Sequence, residues 1–183
     1  MLYIMRHGRT DWNDSKKLQG QTDIPLNEEG RKMAREAAAE YQHVHFDICY
    51  CSPLIRARET AEILLKDRDV PIVLDDRLKE MNFGIYEGIE NSFSIPDCPI
   101  NVFFWHPEQY TKPVEGAESM EQLFARTGEF LNELVYPKLE DGKDILIVGH
   151  GAMNCSIVCQ VLDLPLSEFW SKGIPNCKLM QLK

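Results

Sequence analysis

The feature that most restricts the fold is an alternation. Short apolar runs of strand length are separated by segments with helical spacing, and three runs break off into glycine- or proline-bearing turns. Leu2–Met5 runs into Arg6-His7-Gly8, Phe46–Cys51 into Ser52-Pro53, and Asp144–Val148 into Gly149-His150-Gly151. Val70–Leu74 and Lys178–Leu182 read as two further strands. Apolar runs bounded by turn residues suit strands covered on both faces. Between them, residues 27–42 place Gly30, Met33, Ala34, Ala37, Ala38 and Tyr41 on one side. Ser52-Pro53 reads as a helix start with serine as the cap, followed by Ala57, Thr60, Ala61 and Leu64 on one face. Ser119 and Gln122 fit a capping box opening a long helix that carries Met120, Leu123, Phe124, Thr127, Leu131 and Leu134. A last helix follows Gly151 and turns Met153, Ile157, Val158 and Val161 inward.

Strands alternating with helices predict an α/β fold, a three-layer α/β/α sandwich around a mostly parallel sheet. One domain is expected over residues 1–183. Residues 89–116 break the pattern with Pro96, Pro99, Pro107 and Pro113 among Phe93, Phe103, Phe104, Trp105 and Tyr110. Such a segment is a cap or insertion. Its aromatic residues either fill a gap at the sheet edge or line a mouth that favours a partly apolar group.

Composition excludes several classes. With 44% hydrophobic residues the chain has ample material for a core, so disorder is not expected. A net charge of −9 argues against nucleic acid and anionic membranes as partners. No run approaches the roughly 20 apolar residues of a membrane span, and the N-terminal apolar stretch is too short for a signal peptide. Several of the six cysteines lie in apolar runs, and the set reads as reduced thiols of a cytoplasmic protein. Nothing in the pattern speaks to oligomeric state.

In open α/β sheets, ligands bind beyond the carboxyl ends of the strands. If the first and fourth strands are neighbours, His7 and His150 begin about 4.8 Å apart, with Arg6 and Arg56 at the same rim. Two arginines and two histidines at one sheet edge describe a phosphoryl pocket. The arginine fork holds phosphate oxygens with a charge that neutral pH cannot remove, and imidazole supplies a nitrogen nucleophile. One histidine can attack phosphorus while the other, if protonated, stabilises developing charge. Gly8 and Gly151 allow close backbone approach. A phosphoester also requires a carboxylic acid at the mouth to protonate its leaving oxygen. His43, His45 and His106 read as ordinary surface or structural residues, Arg9 is left aside as a surface charge, and no cysteine–histidine spacing suggests zinc.

Leu2 to Thr10, Trp12-Asn13, Leu18-Gln19-Gly20, Asp23 to Leu26, Cys51 to Ala57, Leu78-Lys79-Glu80, Gly84 to Gly88, Gly116 to Ser119 and Val148 to Gly151 together form an ordered series. The chain thereby resembles the histidine phosphatase superfamily, in its phosphoglycerate mutase-like branch. The resemblance implies His7 as the residue that becomes phosphohistidine, with Arg6, Arg56 and His150 completing the phosphate pocket. It implies Glu80 as general acid and then base, rather than its acidic neighbour Glu87. Asn13 and Gln19 match substrate-binding positions. No metal or other cofactor is implied, and one edge strand is expected to be antiparallel. Mutase members are longer in the middle region, where extra chain shields phosphohistidine from water. The short distance from Glu80 to Gly116 therefore favours hydrolysis of a small phosphorylated metabolite. A phosphoglycerate mutase is the alternative, as is a more specific member acting on α-ribazole phosphate or fructose 2,6-bisphosphate. A phosphate-binding protein without turnover is disfavoured, since binding alone needs no general acid.

Overall fold

A computed structural model describes residues 1–183. Its sheet has five strands, β1 (Leu2–Arg6), β2 (Ile48–Cys51), β3 (Ile72–Leu74), β4 (Ile145–Gly149) and β5 (Leu179–Gln181), in the order β3-β2-β4-β1-β5. The first four are parallel, and β5 pairs antiparallel with β1. β2 and β3 each start two residues later than the apolar runs predict. Phe46 packs edge-on against Tyr3, and the Asp47 carboxylate accepts the Asp144 N–H at 2.7 Å, so this stretch anchors the neighbouring strand instead of joining the ladder.

The helices are α1 (Asp11–Asp14), α2 (Glu28–Glu40), α3 (Ile55–Leu64), α4 (Asn101–Trp105), α5 (Met120–Phe130), α6 (Tyr136–Glu140) and α7 (Gly151–Leu162). The predicted capping box at Ser119 and Gln122 is present. Between α5 and α6 the backbone widens into a π-turn over Leu131–Val135. Pro137 follows at once, and its ring has no N–H to give and would clash with a carbonyl one turn back. Ser52 does not cap α3. The helix starts at Ile55, whose N–H is held at 2.7 Å by the Asp23 carboxylate from a loop far away in sequence.

Strand alternation splits the core into two layers. Leu2, Ile4, Tyr50, Ile145 and Ile147 face α5 and α7, whereas Met5, Cys49, Cys51, Leu146 and Val148 face α2 and α3. Cys49 and Cys51 thus share a face, as their spacing predicts, and all six cysteines are buried free thiols. The first layer is larger, 25 buried residues against 13, and Cys98, Ile100, Phe103 and Tyr110 of segment 89–116 merge into it. Ile147 has no exposed surface, and truncation there to alanine should cost about 2–5 kcal/mol.

On the smaller side, α2 meets the turn after β1 backbone to backbone. A Cβ on Gly30 would stand 2.1 Å from the Arg9 carbonyl oxygen, and one on Gly8 would stand 2.6 Å from that of Gly30.

Candidate active site

The parallel pairing of β1 with β4 sets Arg6 opposite Gly149, and the His7 N–H donates to the Gly149 carbonyl at 2.9 Å. The next residues bring His7 and His150 together with ring centroids 5.2 Å apart. Beside them is a cavity of about 270 Å³, lined at its inner end by Arg6, His7, Asn13, Gln19, Arg56, Glu80 and Gly151. All of the predicted residues except His150 therefore line one space. His150 is fully buried, with its ring against that of His7.

Each imidazole has an assigned partner. His7 Nδ1 lies 2.6 Å from the Gly8 carbonyl oxygen, which can only accept, so Nδ1 carries the hydrogen and Nε2 keeps its lone pair. His150 Nε2 lies 2.8 Å from the Ser52 hydroxyl. Ser52 is therefore an orienting partner of His150, a role that its position before proline does not disclose. If the hydroxyl donates, the hydrogen of His150 moves to Nδ1, a buried atom without a protein partner. The Nε atoms of Arg6 and Arg56 are likewise buried and unpartnered. Burial, then the charges of Arg56 and Arg6, hold the His7 pKa well below the ordinary histidine value. Burial and Arg56 do the same to His150. Both rings are thus neutral near pH 7 in the unliganded protein. In the tautomer with its hydrogen on Nδ1, His150 can donate a hydrogen bond without a positive charge.

The arginines differ in how they are held. Arg56, the second residue of α3, donates from its two terminal nitrogens to the carbonyls of Thr22 (2.9 Å) and Gly20 (2.6 Å), and burial lowers its pKa to about 10. The same loop is gripped from its other side by Glu87. That carboxylate accepts from Gln21 N–H and Thr22 N–H, both at 2.9 Å, from the Thr22 hydroxyl at 2.5 Å and from Phe83 N–H at 3.2 Å. Gly20, at φ +53°, leaves room for it, since a Cβ there would stand 2.0 Å from Glu87 Oε1. Glu87 is therefore a structural clasp for the loop that seats Arg56. Thr60 adds a tie, accepting the Gly8 N–H at 2.9 Å while donating to the Arg56 carbonyl at 2.7 Å.

Glu80 is nearly buried against the start of α7. Its Oε1 accepts from the N–H groups of Met81 and Met153, both at 2.9 Å, and Oε2 from Ala152 N–H at 3.2 Å. Oε2 has the lighter hydrogen-bond load, and a Cβ placed on Gly151 would lie 3.5 Å from it and 3.8 Å from the Arg6 guanidinium carbon. The lack of a side chain at Gly151 thus leaves open the space beside Glu80 Oε2 and the Arg6 guanidinium, and its backbone is in an ordinary helical conformation. Arg126 of α5 and Gln21 both donate to the Glu80 carbonyl, at 3.2 and 3.0 Å, and Arg126 is itself paired with Glu118. Asn13 and Gln19 direct their carbonyl oxygens to the Thr10 hydroxyl (3.1 and 2.9 Å), which leaves their NH₂ ends available to an anion.

At the outer end of the cavity the lining turns aromatic: Phe83, Phe93, Phe104 and Trp170, with Leu18 and Lys17. The structure divides the Phe103-Phe104-Trp105 run. Phe103 is fully buried packing, Phe104 faces the cavity, and Trp105 turns outward. Phe83 and Trp170 had no sequence signal. His43, His45 and His106 lie away from the cavity. His45 joins Asp47 and Asp144 in a cluster of possible metal ligands at the amino ends of the strands, where the Met1 ammonium and Lys143 already pair with the carboxylates.

No helix is long and apolar enough to cross a membrane. Comparison with known proteins agrees with the site. The chain is 29% identical over 175 residues to phosphoserine phosphatase 1 of Hydrogenobacter thermophilus, covering 96% of this chain and 82% of that protein. It is 31% identical over 153 residues to a 2,3-bisphosphoglycerate-dependent phosphoglycerate mutase of Cytophaga hutchinsonii, covering 82% and 72%. Among solved structures, a mycobacterial glucosyl-3-phosphoglycerate phosphatase superposes with a TM-score of 0.84 at 29% identity, covering 97% of this chain and 90% of that one. The family model described as histidine phosphatase superfamily (branch 1) matches residues 2–183. A mutase-like sheet, paired histidines beyond its strand ends and a match along almost the full length lead to one assignment: the chain belongs to branch 1 of the histidine phosphatase superfamily.

Proposed function

We propose that the protein is a metal-independent phosphatase that hydrolyses small phosphomonoesters through a phosphohistidine on His7. The observation that carries the reading is the committed tautomer of His7. With Nδ1–H given to Gly8, the lone pair on Nε2 is the ring's nucleophilic position, beside two buried guanidinium groups.

The steps balance as follows. The Nε2 lone pair attacks phosphorus, forming a P–N bond as the ester P–O bond breaks. Arg6 and Arg56 hold the equatorial oxygens, with Asn13 and Gln19 as further donors, and His150, in the tautomer with its hydrogen on Nδ1, adds a neutral donor next to His7. Protonated Glu80 gives its proton to the departing oxygen, from the cavity side at Oε2. Water then attacks the phosphohistidine and returns a proton to the Glu80 carboxylate. The P–N bond breaks, and phosphate leaves.

Hydrolysis is preferred to mutase chemistry because the lining offers only Lys17 as a cation beyond the arginine pair. A bisphosphate intermediate would require more positive charge at the mouth. The test is a panel of phosphomonoesters assayed with EDTA for wild type and His7→Ala. Full activity with EDTA and loss in the variant are expected. Unchanged hydrolysis by the variant, or inactivation by EDTA, overturns the mechanism. On 3-phosphoglycerate, phosphate release should exceed isomer interconversion, and the reverse would establish the mutase.

A further inference from the structure

We infer that the outer half of the cavity is a leaving-group site built for a flat, apolar group, an aromatic ring above all. This rests on the phosphatase reading and names the substrate class within it. The wall is a continuous set of rings. Phe104 stacks on Trp170 with centroids 5.6 Å apart and planes at 22°, Phe93 meets Phe104 edge-on at 5.3 Å, and Phe83 lies 6.0 Å from Phe104. Phe93 is 53% exposed yet braced from outside, because Trp105 stacks on it at 5.8 Å and 29°. Trp170 has no polar end to offer a ligand, since its Nε1–H donates to the Phe103 carbonyl at 3.0 Å.

These rings present faces and edges but no hydrogen-bonding groups. A polyol or sugar leaving group would surrender its bonds to water against such a wall and find only the Lys17 ammonium at its edge to replace them. A flat ring loses nothing, gains burial, and finds stacked or edge-on partners at the spacings aromatic pairs prefer. The phosphoryl group then stays among the polar residues at the inner end, and the ester oxygen lies at the junction, beside Glu80.

The test compares leaving groups of matched chemistry. 1-Naphthyl and phenyl phosphate both release a phenoxide, and benzyl and glycerol phosphate both release an alkoxide. Wild type should favour naphthyl over phenyl phosphate roughly tenfold in kcat/KM, and benzyl over glycerol phosphate in the same sense. Phe93→Ala, at a half-exposed position whose loss leaves the core intact, should reduce the naphthyl preference to within about twofold. Inhibition by inorganic phosphate should be unchanged in that variant. Wild-type ratios near one, a ratio that Phe93→Ala does not alter, or faster turnover of glycerol phosphate would overturn the inference. Calorimetric binding of naphthyl and phenyl phosphate to His7→Ala reads the wall without turnover. Equal affinities there sink the leaving-group site. If no ester is hydrolysed by wild type while naphthyl phosphate still binds more tightly, the phosphatase reading alone falls.

Discussion

The two ends of the cavity are built by different means. At the inner end, side chains are tied to backbone groups of other elements: His7 to Gly8, Arg56 to the carbonyls of Gly20 and Thr22, Glu80 to the first N–H groups of α7. At the outer end, ring packs on ring, and the main polar tie of the wall is the Trp170 indole on Phe103. Hydrogen bonds fix direction and leave few alternative positions, whereas stacked rings tolerate sliding and substitution. The difference teaches where variation is affordable. Chemistry sits on backbone-anchored groups and selectivity on side-chain packing.

That contrast can be broken by mutation. His7→Ala should lower kcat/KM by at least about 10⁴-fold on every ester, because the bond-forming atom is removed. Glu80→Gln should cost about 10²–10⁴-fold on alkyl phosphates and far less on nitrophenyl phosphate, whose leaving oxygen needs little protonation. Equal losses on both would remove Glu80 from the acid role. Glu87→Gln strands N–H groups of the loop that seats Arg56 and should raise KM for all esters about tenfold. Because Glu87 acts through position, the loss should be the same for good and poor leaving groups. A leaving-group-dependent loss would instead make Glu87 the acid.

The smallest effect is in pH. Both imidazoles are held well below the ordinary histidine pKa, so NMR titration should find them neutral at pH 6.5. The unfolded chain takes up protons there that the folded chain refuses. Stability is therefore full above about pH 6.5 and declines as pH falls below it towards the folded pKa values. The melting temperature of wild type should follow that course, and His7→Ala should flatten it.

Much of the inner end was legible in sequence because strand-end turns announce themselves. Arg6-His7-Gly8 and Gly149-His150-Gly151 each interrupt an apolar run, and the sheet rule brings them together. What stayed hidden depends on partners distant in the chain. Ser52 looked like a helix cap because local patterning cannot know that His150 lies beside it. Glu87 reads in sequence only as an acidic neighbour of Glu80, and its four-bond grip on residues 21, 22 and 83 exists only once the loops are packed. The aromatic run 103–105 split three ways because periodicity is meaningless in a helix of five residues. Trp170 comes from another part of the chain altogether.

The close approach of α2 to the turn after β1 bears on how this enzyme could drift. Position 30 is in the first turn of a helix whose neighbours are exposed charges, and on helix propensity alanine is the better residue there by roughly 1 kcal/mol. A single added methyl would nonetheless strike the Arg9 carbonyl and press on the segment that carries His7. A change that any helix scale would recommend is thus one that α2 cannot accept without shifting the turn beneath it. The tolerance of that helix is dictated by the catalytic turn beneath it.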